Sequence, residues 1–295
     1  MICDVLTAQQ HFHKLKGIKK MKKFVKFSAL LLALMLVLAG CSAVKPVAPV
    51  SDEKATDQSW EYIKANGKII VGLDDTFAPM GFRDEAGKIV GFDIDLANAV
   101  GKELGVEIEL QPIEWAAKEL ELANKKIDVI WNGMSKNPER SASMTLSNPY
   151  LNNKMSIMTL KGSDVKKKDD LIGKKIAVQE GSSGLELLTK DAIYDKVSKD
   201  VTEYSDYDEA VMELETGRVD AVVIDMVLSG YKDSKKPDTY AIADEDFGDD
   251  LFVVGMRKED KAFAQELQKV MDKLKADGTA LELSEKWFSE DLIAK

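Results

Sequence analysis

Beyond position 41 the chain has no cysteine and no histidine: its two cysteines are Cys3 and Cys41, and its two histidines are His11 and His13. A globular part built from the remainder has no thiol nucleophile, no disulfide, no imidazole base and no His or Cys metal ligand. The expected cofactor and metal complement is therefore none, and only carboxylate-based chemistry stays open. Long apolar runs are also scarce. The one conspicuous run, Phe27 to Leu38, is too short to span a bilayer, which takes about twenty residues. Positive charge is in deficit as well, since beyond residue 40 there are 34 basic against 50 acidic residues, a formal charge of −16. Such a surface repels nucleic acid and anionic headgroups, so nucleic acid is not an expected partner.

The Phe27 to Leu38 run follows Lys19, Lys20, Lys22, Lys23 and Lys26. A basic segment followed by a short apolar one is the pattern of a secretory signal. Residues 1–40 are expected to be that signal, with Met21-Lys22-Lys23 a more natural start than Met1 and residues 1–20 a mis-assigned extension. The segment closes with Leu38-Ala39-Gly40-Cys41, which resembles the lipobox of bacterial lipoproteins. That resemblance implies cleavage before Cys41 and a diacylglyceryl group on its thiol, hence an extracytoplasmic protein held at the cell membrane by a lipid anchor. Ser42 to Gln58 is rich in Ser, Ala, Pro and charge without apolar period, so residues 41–58 read as the lipidated cysteine and a flexible tether. About 240 residues remain, enough for two lobes of about 100 residues.

From Lys68 onward, strand-like and helix-like segments alternate, which predicts an α/β fold with mainly parallel strands. Lys68 to Leu73 is a β-branched run ending at Asp74-Asp75; Asp93 is expected to cap a helix that Gly105 stops. Val106 to Ile113 reads as a strand, Trp115 to Asn124 as a helix and Ile127 to Trp131 as a strand. In a second unit, the strand Lys175 to Gln179 runs into Glu180-Gly181-Ser182-Ser183-Gly184. Ser183 with Glu186 three residues on reads as a capping box. A helix from Tyr207 to Thr216, a buried strand Val219 to Ile224 ending at Asp225, a strand Leu251 to Met256 and two closing helices complete the pass. Two such units in series predict a ligand crevice at the carboxyl ends of their strands.

Two residues stand out chemically. Arg140 follows Asn137-Pro138-Glu139, a good N-cap and first turn, and its planar fork matches a carboxylate. Asp225 emerges from a buried strand, where an unpaired carboxylate is costly. A free amino acid presents the complementary pair of charges.

At this point the order of motifs carries more than any one of them. Thr76-Phe77-Ala78-Pro79-Met80-Gly81-Phe82, Gly91-Phe92-Asp93-Ile94-Asp95-Leu96, Asn132-Gly133-Met134-Ser135 with Pro138-Glu139-Arg140, Ser147-Asn148-Pro149-Tyr150 and Lys286-Trp287-Phe288 together resemble the polar amino-acid-binding proteins of ABC importers, bacterial extracellular solute-binding protein family 3. The resemblance spans about residues 58–290. It implies a two-lobed, periplasmic-binding-protein-like (type II) α/β fold with a two-segment hinge. Lobe 1 would cover residues 59–152 and lobe 2 residues 153–247, with 248–295 returning to lobe 1. It implies that Arg140 receives the ligand carboxylate, with Gly133 and Ser135 assisting, and that Ser182 and Ser183 add donors from lobe 2. Asp225 would receive the α-ammonium, Phe77 and Trp115 would sandwich the side chain, and Asp74 would read its tip. Gln179 is counted with them, and Glu180 is expected nearby.

The function implied is capture of a polar amino acid by a monomer, without catalysis, and delivery to ABC permease subunits. Two alternatives share the fold: a lipoprotein that only senses its ligand, and a cyclohexadienyl-dehydratase-like enzyme using Arg140, Glu180 and Asp225.

Overall fold

The computed structural model describes residues 57–295. The signal segment, Cys41 and all but the last two residues of the tether lie outside the described residues. Two sheets organise the chain. The first belongs to a stretch that runs through helix α1 (Ser59–Asn66), strands β1 (Lys68–Leu73), β2 (Thr76–Phe77), β3 (Gly81–Arg83) and β4 (Ile89–Val90), the last three pairing as a small sheet of their own, then helix α2 (Phe92–Leu104), β5 (Glu107–Pro112), α3 (Lys118–Ala123), β6 (Val129–Ile130), α4 (Pro138–Ser143) and β7 (Met144–Leu146). The long strand β8 (Leu151–Leu160) opens the second, followed by β9 (Ile176–Gln179), α5 (Ser183–Lys190), α6 (Tyr194–Val197), β10 (Val201–Tyr204), α7 (Tyr207–Glu215), β11 (Ala221–Asp225), α8 (Met226–Lys235) and β12 (Tyr240–Ile242). The chain then returns through β13 (Asp249–Phe252) to β14 (Gly255–Arg257), α9 (Lys261–Ala276) and α10 (Thr279–Phe288).

The first sheet has the order β5-β1-β6-β14-β7 and the second β10-β9-β11-β8-β12. In each, three parallel strands at one edge meet antiparallel neighbours. This is the two-lobed α/β architecture the sequence implies. β8 leaves the first lobe, and β13 pairs with it antiparallel on the way back, Asn153 opposite Asp250 and Lys154 opposite Asp249. That pair of strands is the double connection between the lobes.

Apolar periodicity explains the layers. Phe263, Leu267, Met271 and Leu274 bury one stripe of α9, which covers the first sheet together with Leu96, Ala97 and Val100 of α2. Ile157, Ile176, Val178, Leu188 and Val223 form the second lobe's own core. Under β14, Arg257 lies between Asp128 at 3.1 Å and Asp260 at 2.6 Å, all three nearly inaccessible.

Several local expectations are corrected. Asp93 does not cap α2: Gly91 holds that position with no side-chain bond, and the Asp93 carboxylate turns inward instead. Ser183 does not make a capping box. Ser182 is the N-cap, accepting from the Leu185 amide at 3.1 Å, which leaves the Ser183 hydroxyl for other work. Trp115 to Asn124 is a 3-10 turn leading into α3 rather than one helix. Leu251 to Met256 is broken between Phe252 and Gly255, because the chain changes partner there from β8 to β6 and β7.

Candidate functional site

The strand ends place the polar residues. Asp74 follows the last residue of β1, Gln179 ends β9 and Asp225 ends β11. Asn132, Gly133 and Ser135 occupy the loop after β6, and Arg140 sits on α4. All ten residues singled out in the sequence (Asp74, Phe77, Trp115, Gly133, Ser135, Arg140, Gln179, Ser182, Ser183 and Asp225) line one narrow cavity, and Asn132 and Tyr207 complete it. Glu180 is exposed and does not take part.

Arg140 is oriented by its turn and by both lobes. Asn137 caps α4, its Oδ1 accepting from the Arg140 amide at 2.7 Å. Arg140 Nη1 then donates to the Ser135 carbonyl at 2.8 Å and to Ser183 Oγ in the second lobe at 3.0 Å. Burial lowers its basicity, with Glu119 working the other way from 3.9 Å. A guanidinium is still charged under these conditions, and a fork pinned by one terminal nitrogen is pre-aimed for an anion.

The opposite pole is acidic. Asp225 stands at the N-cap position of α8 without capping it; its Oδ1 accepts instead from Asn153 Nδ2 at 2.6 Å. Burial, and then the Asp250 carboxylate, hold Asp225 well above the usual carboxylate range. Asp74 is raised by burial too, opposed by Thr76, whose hydroxyl donates at 2.6 Å, and by Gln179, whose amide donates at 2.7 Å from the other lobe. An unneutralised carboxylate in such a place is costly, so this end of the cavity favours a cation.

The walls are aromatic. Phe77 packs on Tyr207 with ring centroids 6.0 Å apart. Trp115 carries Lys118 over its ring, Nζ 4.8 Å from the centroid. That ammonium also donates to the Trp115 carbonyl at 3.2 Å and, across the lobes, to the Gly181 carbonyl at 2.9 Å. Burial, then the nearby Arg140, pull Lys118 down to about 8.

The loop after β6 is held by a residue that sequence reasoning placed wrongly. Asp93 Oδ2 accepts from the Gly133 amide at 2.7 Å and from the Tyr150 hydroxyl at 2.9 Å, and burial pushes this carboxyl up to about 7. Gly133 has φ +59°, and a Cβ there would lie 2.6 Å from Phe77 Cε1. Lys118, Asp93, Asn153, Tyr207 and Asp250 were not counted with the site from the sequence. Local sequence does not mark them as a group: Asn153 lies between Asn152 and Lys154, Tyr207 between Asp206 and Asp208, and Asp250 ends a run of acids, so the fold is needed before they point anywhere.

With that geometry in view, comparison with known proteins is decisive. The sequence pattern of the bacterial extracellular solute-binding proteins, family 3, matches residues 69–290. The chain belongs to this family. It is 32% identical to the L-cystine-binding protein TcyJ of Escherichia coli (strain K12), over 86% of this chain and 96% of that one. It is 30% identical to the ABC transporter glutamine-binding protein GlnH of Bacillus subtilis (strain 168), over 92% and 99%. Among solved structures, an ABC uptake transporter substrate-binding protein from Streptococcus pneumoniae with bound histidine superposes with a TM-score of 0.78 at 35% identity, covering 81% of this chain and 99% of the other. These relatives are named as binding proteins, not enzymes. Among the described residues, no helix is long and apolar enough to cross a membrane, and no group of His, Cys, Asp and Glu is arranged to hold a metal.

Proposed function

We propose that this protein captures a polar L-amino acid between its lobes, outside the cytoplasm, and hands it to the permease of an ABC importer. The observation that carries this reading is the placement of Arg140 and Asp225, from opposite lobes, on the walls of one cavity. One side offers a guanidinium to an α-carboxylate; the other offers a carboxylate to an α-ammonium. The relatives support it, since cystine, glutamine and histidine share that zwitterionic head and differ in side chain. Gly133, Ser135, Ser182 and Ser183 supply further polar groups around the carboxylate pole. Phe77 and Trp115 enclose the side chain, and Asp74 with Gln179 reads its tip.

In this reading residues 59–152 and 248–295 close on residues 153–247 about the β8 and β13 connection, and the closed shape is what the permease recognises. Lipid on Cys41 holds the protein at the membrane surface, leaving residues 42–58 as tether. The protein acts as a monomer.

A thermal-shift screen against the twenty amino acids with cystine and ornithine tests the function, because a ligand that binds only the folded state raises the melting temperature. A shift for at least one member is expected, and Arg140→Ala should abolish every shift whatever the side chain. Equal shifts in the wild type and the Arg140 variant would overturn the assignment.

A further inference from the structure

Asp225 is not alone at its end of the cavity. Asn153 on β8 donates through Nδ2 to Asp225 Oδ1 at 2.6 Å and through the same nitrogen to Asp250 Oδ2 at 3.0 Å. The register sets this up, with Asn153 opposite Asp250 on β13 and Met155 opposite Asp225 on β11. Asp250 Oδ2 also accepts from Ser135 Oγ at 2.7 Å, and Oδ1 from the Leu251 amide at 2.9 Å. All three members of the cluster are buried.

The surrounding charges do not neutralise them. Lys154, next to Asn153, is engaged by Asp246 at 3.5 Å and Asp249 at 3.0 Å. Among the described residues, Arg140 is a cation that both carboxylates feel, and its near contacts are with Ser135, Ser183 and Glu119. The Tyr207 hydroxyl, which also faces them, is kept neutral by burial. Two carboxylates tied to one amide nitrogen in a dry site titrate as a pair, and the second charge is strongly disfavoured.

We propose that Asp225 and Asp250 act as a single two-carboxylate pole, joined by Asn153, that carries one proton in the empty closed cleft and exchanges it for the α-ammonium of the ligand. Asp250 is then a specificity-determining residue one step behind Asp225: it makes the pole demand a full positive charge. This rests on the amino-acid reading above. No covalent bond changes. The protonated pair and the zwitterion give the charged pair with its ammonium partner, and the proton leaves to solvent. Burial raises both carboxyls, and Asp250 adds to the shift at Asp225, in the direction this exchange needs. The sign follows: the ligand lowers the pair's proton affinity, so binding tightens as pH rises through the pair's titration and levels off above it.

The test is calorimetric titration with L-arginine, L-glutamine and L-cystine, from pH 5 to 8, in buffers of different ionisation enthalpy. For those that bind, the wild type should release up to one proton per ligand at the acid end, and its affinity should fall by up to about tenfold per pH unit there. Asp250→Asn should lower the proton count, flatten the slope and weaken binding at least about tenfold at neutral pH. Asp246→Asn, which removes a nearby surface charge, should behave as the wild type. An Asp250→Asn protein with an unchanged count and slope overturns the proposal while leaving the amino-acid reading standing. Absence of binding by the wild type to these three and to every other amino acid of the thermal-shift screen overturns both.

Discussion

Gly133 is the position at which local backbone geometry and the cavity wall are most tightly coupled, so Gly133→Ala is the sharpest single perturbation. Its φ of +59° lies in the left-handed region, and the added Cβ would meet Phe77 Cε1 at 2.6 Å and two Phe252 ring atoms at 3.2 and 3.3 Å. Left-handed backbone costs an alanine about 1–2 kcal/mol, and forcing a methyl into a packed site adds about 1–3 kcal/mol. The combined loss is about 2–5 kcal/mol, which for a domain of this size lowers Tm by on the order of 10 °C. The ring that must yield is Phe77, a wall of the cavity, so ligand affinity should fall along with stability. Gly105→Ala provides the control, since its φ is +73° with no atom within 4 Å of the added Cβ, and it should show only the smaller backbone cost. Thermal unfolding with and without ligand, and calorimetric titration, measure both effects. A Gly133→Ala protein no less stable than Gly105→Ala, with wild-type affinity, would refute the reasoning.

Three further outcomes are expected. Asp93 holds its proton up to about pH 7 when folded and only to its ordinary value near 4 when unfolded, so the folded state binds the extra proton and its stability should fall as pH rises from about 4 to 7. At about 1.4 kcal/mol per pKa unit the span is worth about 4 kcal/mol, and urea denaturation across that range should show a shallower decline in Asp93→Asn. Lys118→Ala removes the charged hydrogen bond to the Gly181 carbonyl, a loss of about 1.5–3 kcal/mol, and stopped-flow measurement should find ligand release at least about tenfold faster. Arg257→Ala strands the buried carboxylates of Asp128 and Asp260 and should cost about 3–5 kcal/mol in chemical denaturation, with ligand affinity far less affected.

How much of this was readable in the chain depends on what kind of signal each residue leaves. β1, β9 and β11 are short, buried β-branched runs, and their carboxyl ends deliver Asp74, Gln179 and Asp225 to the crevice as periodicity and topology require. Arg140 was legible because Asn137 and Pro138 announce a helix start, and the cap is observed. The misplacements share a cause. Asp93 and Ser183 have residue types that favour helix starts, but each side chain is taken by a partner distant in sequence, Gly133 and Tyr150 for one and Arg140 for the other. Local propensity has no access to such partners.

The same limit explains why the acidic pole was seen only in half. Asp225 ends a continuous apolar run and therefore looks out of place. Asp250 ends a mostly acidic stretch, Asp244 to Asp250, in which no single acid stands out. Pairing of β13 with β8 on the return to the first lobe sets Asp250 opposite Asn153, where Ser135 also bonds it. The return crossing therefore does two jobs at once: it makes the second connection of the hinge and carries a carboxylate to the edge of the cavity. Asn153, on the other strand of that crossing, bonds both Asp225 and Asp250, so the proposed proton exchange would act at the pair of strands that joins the lobes.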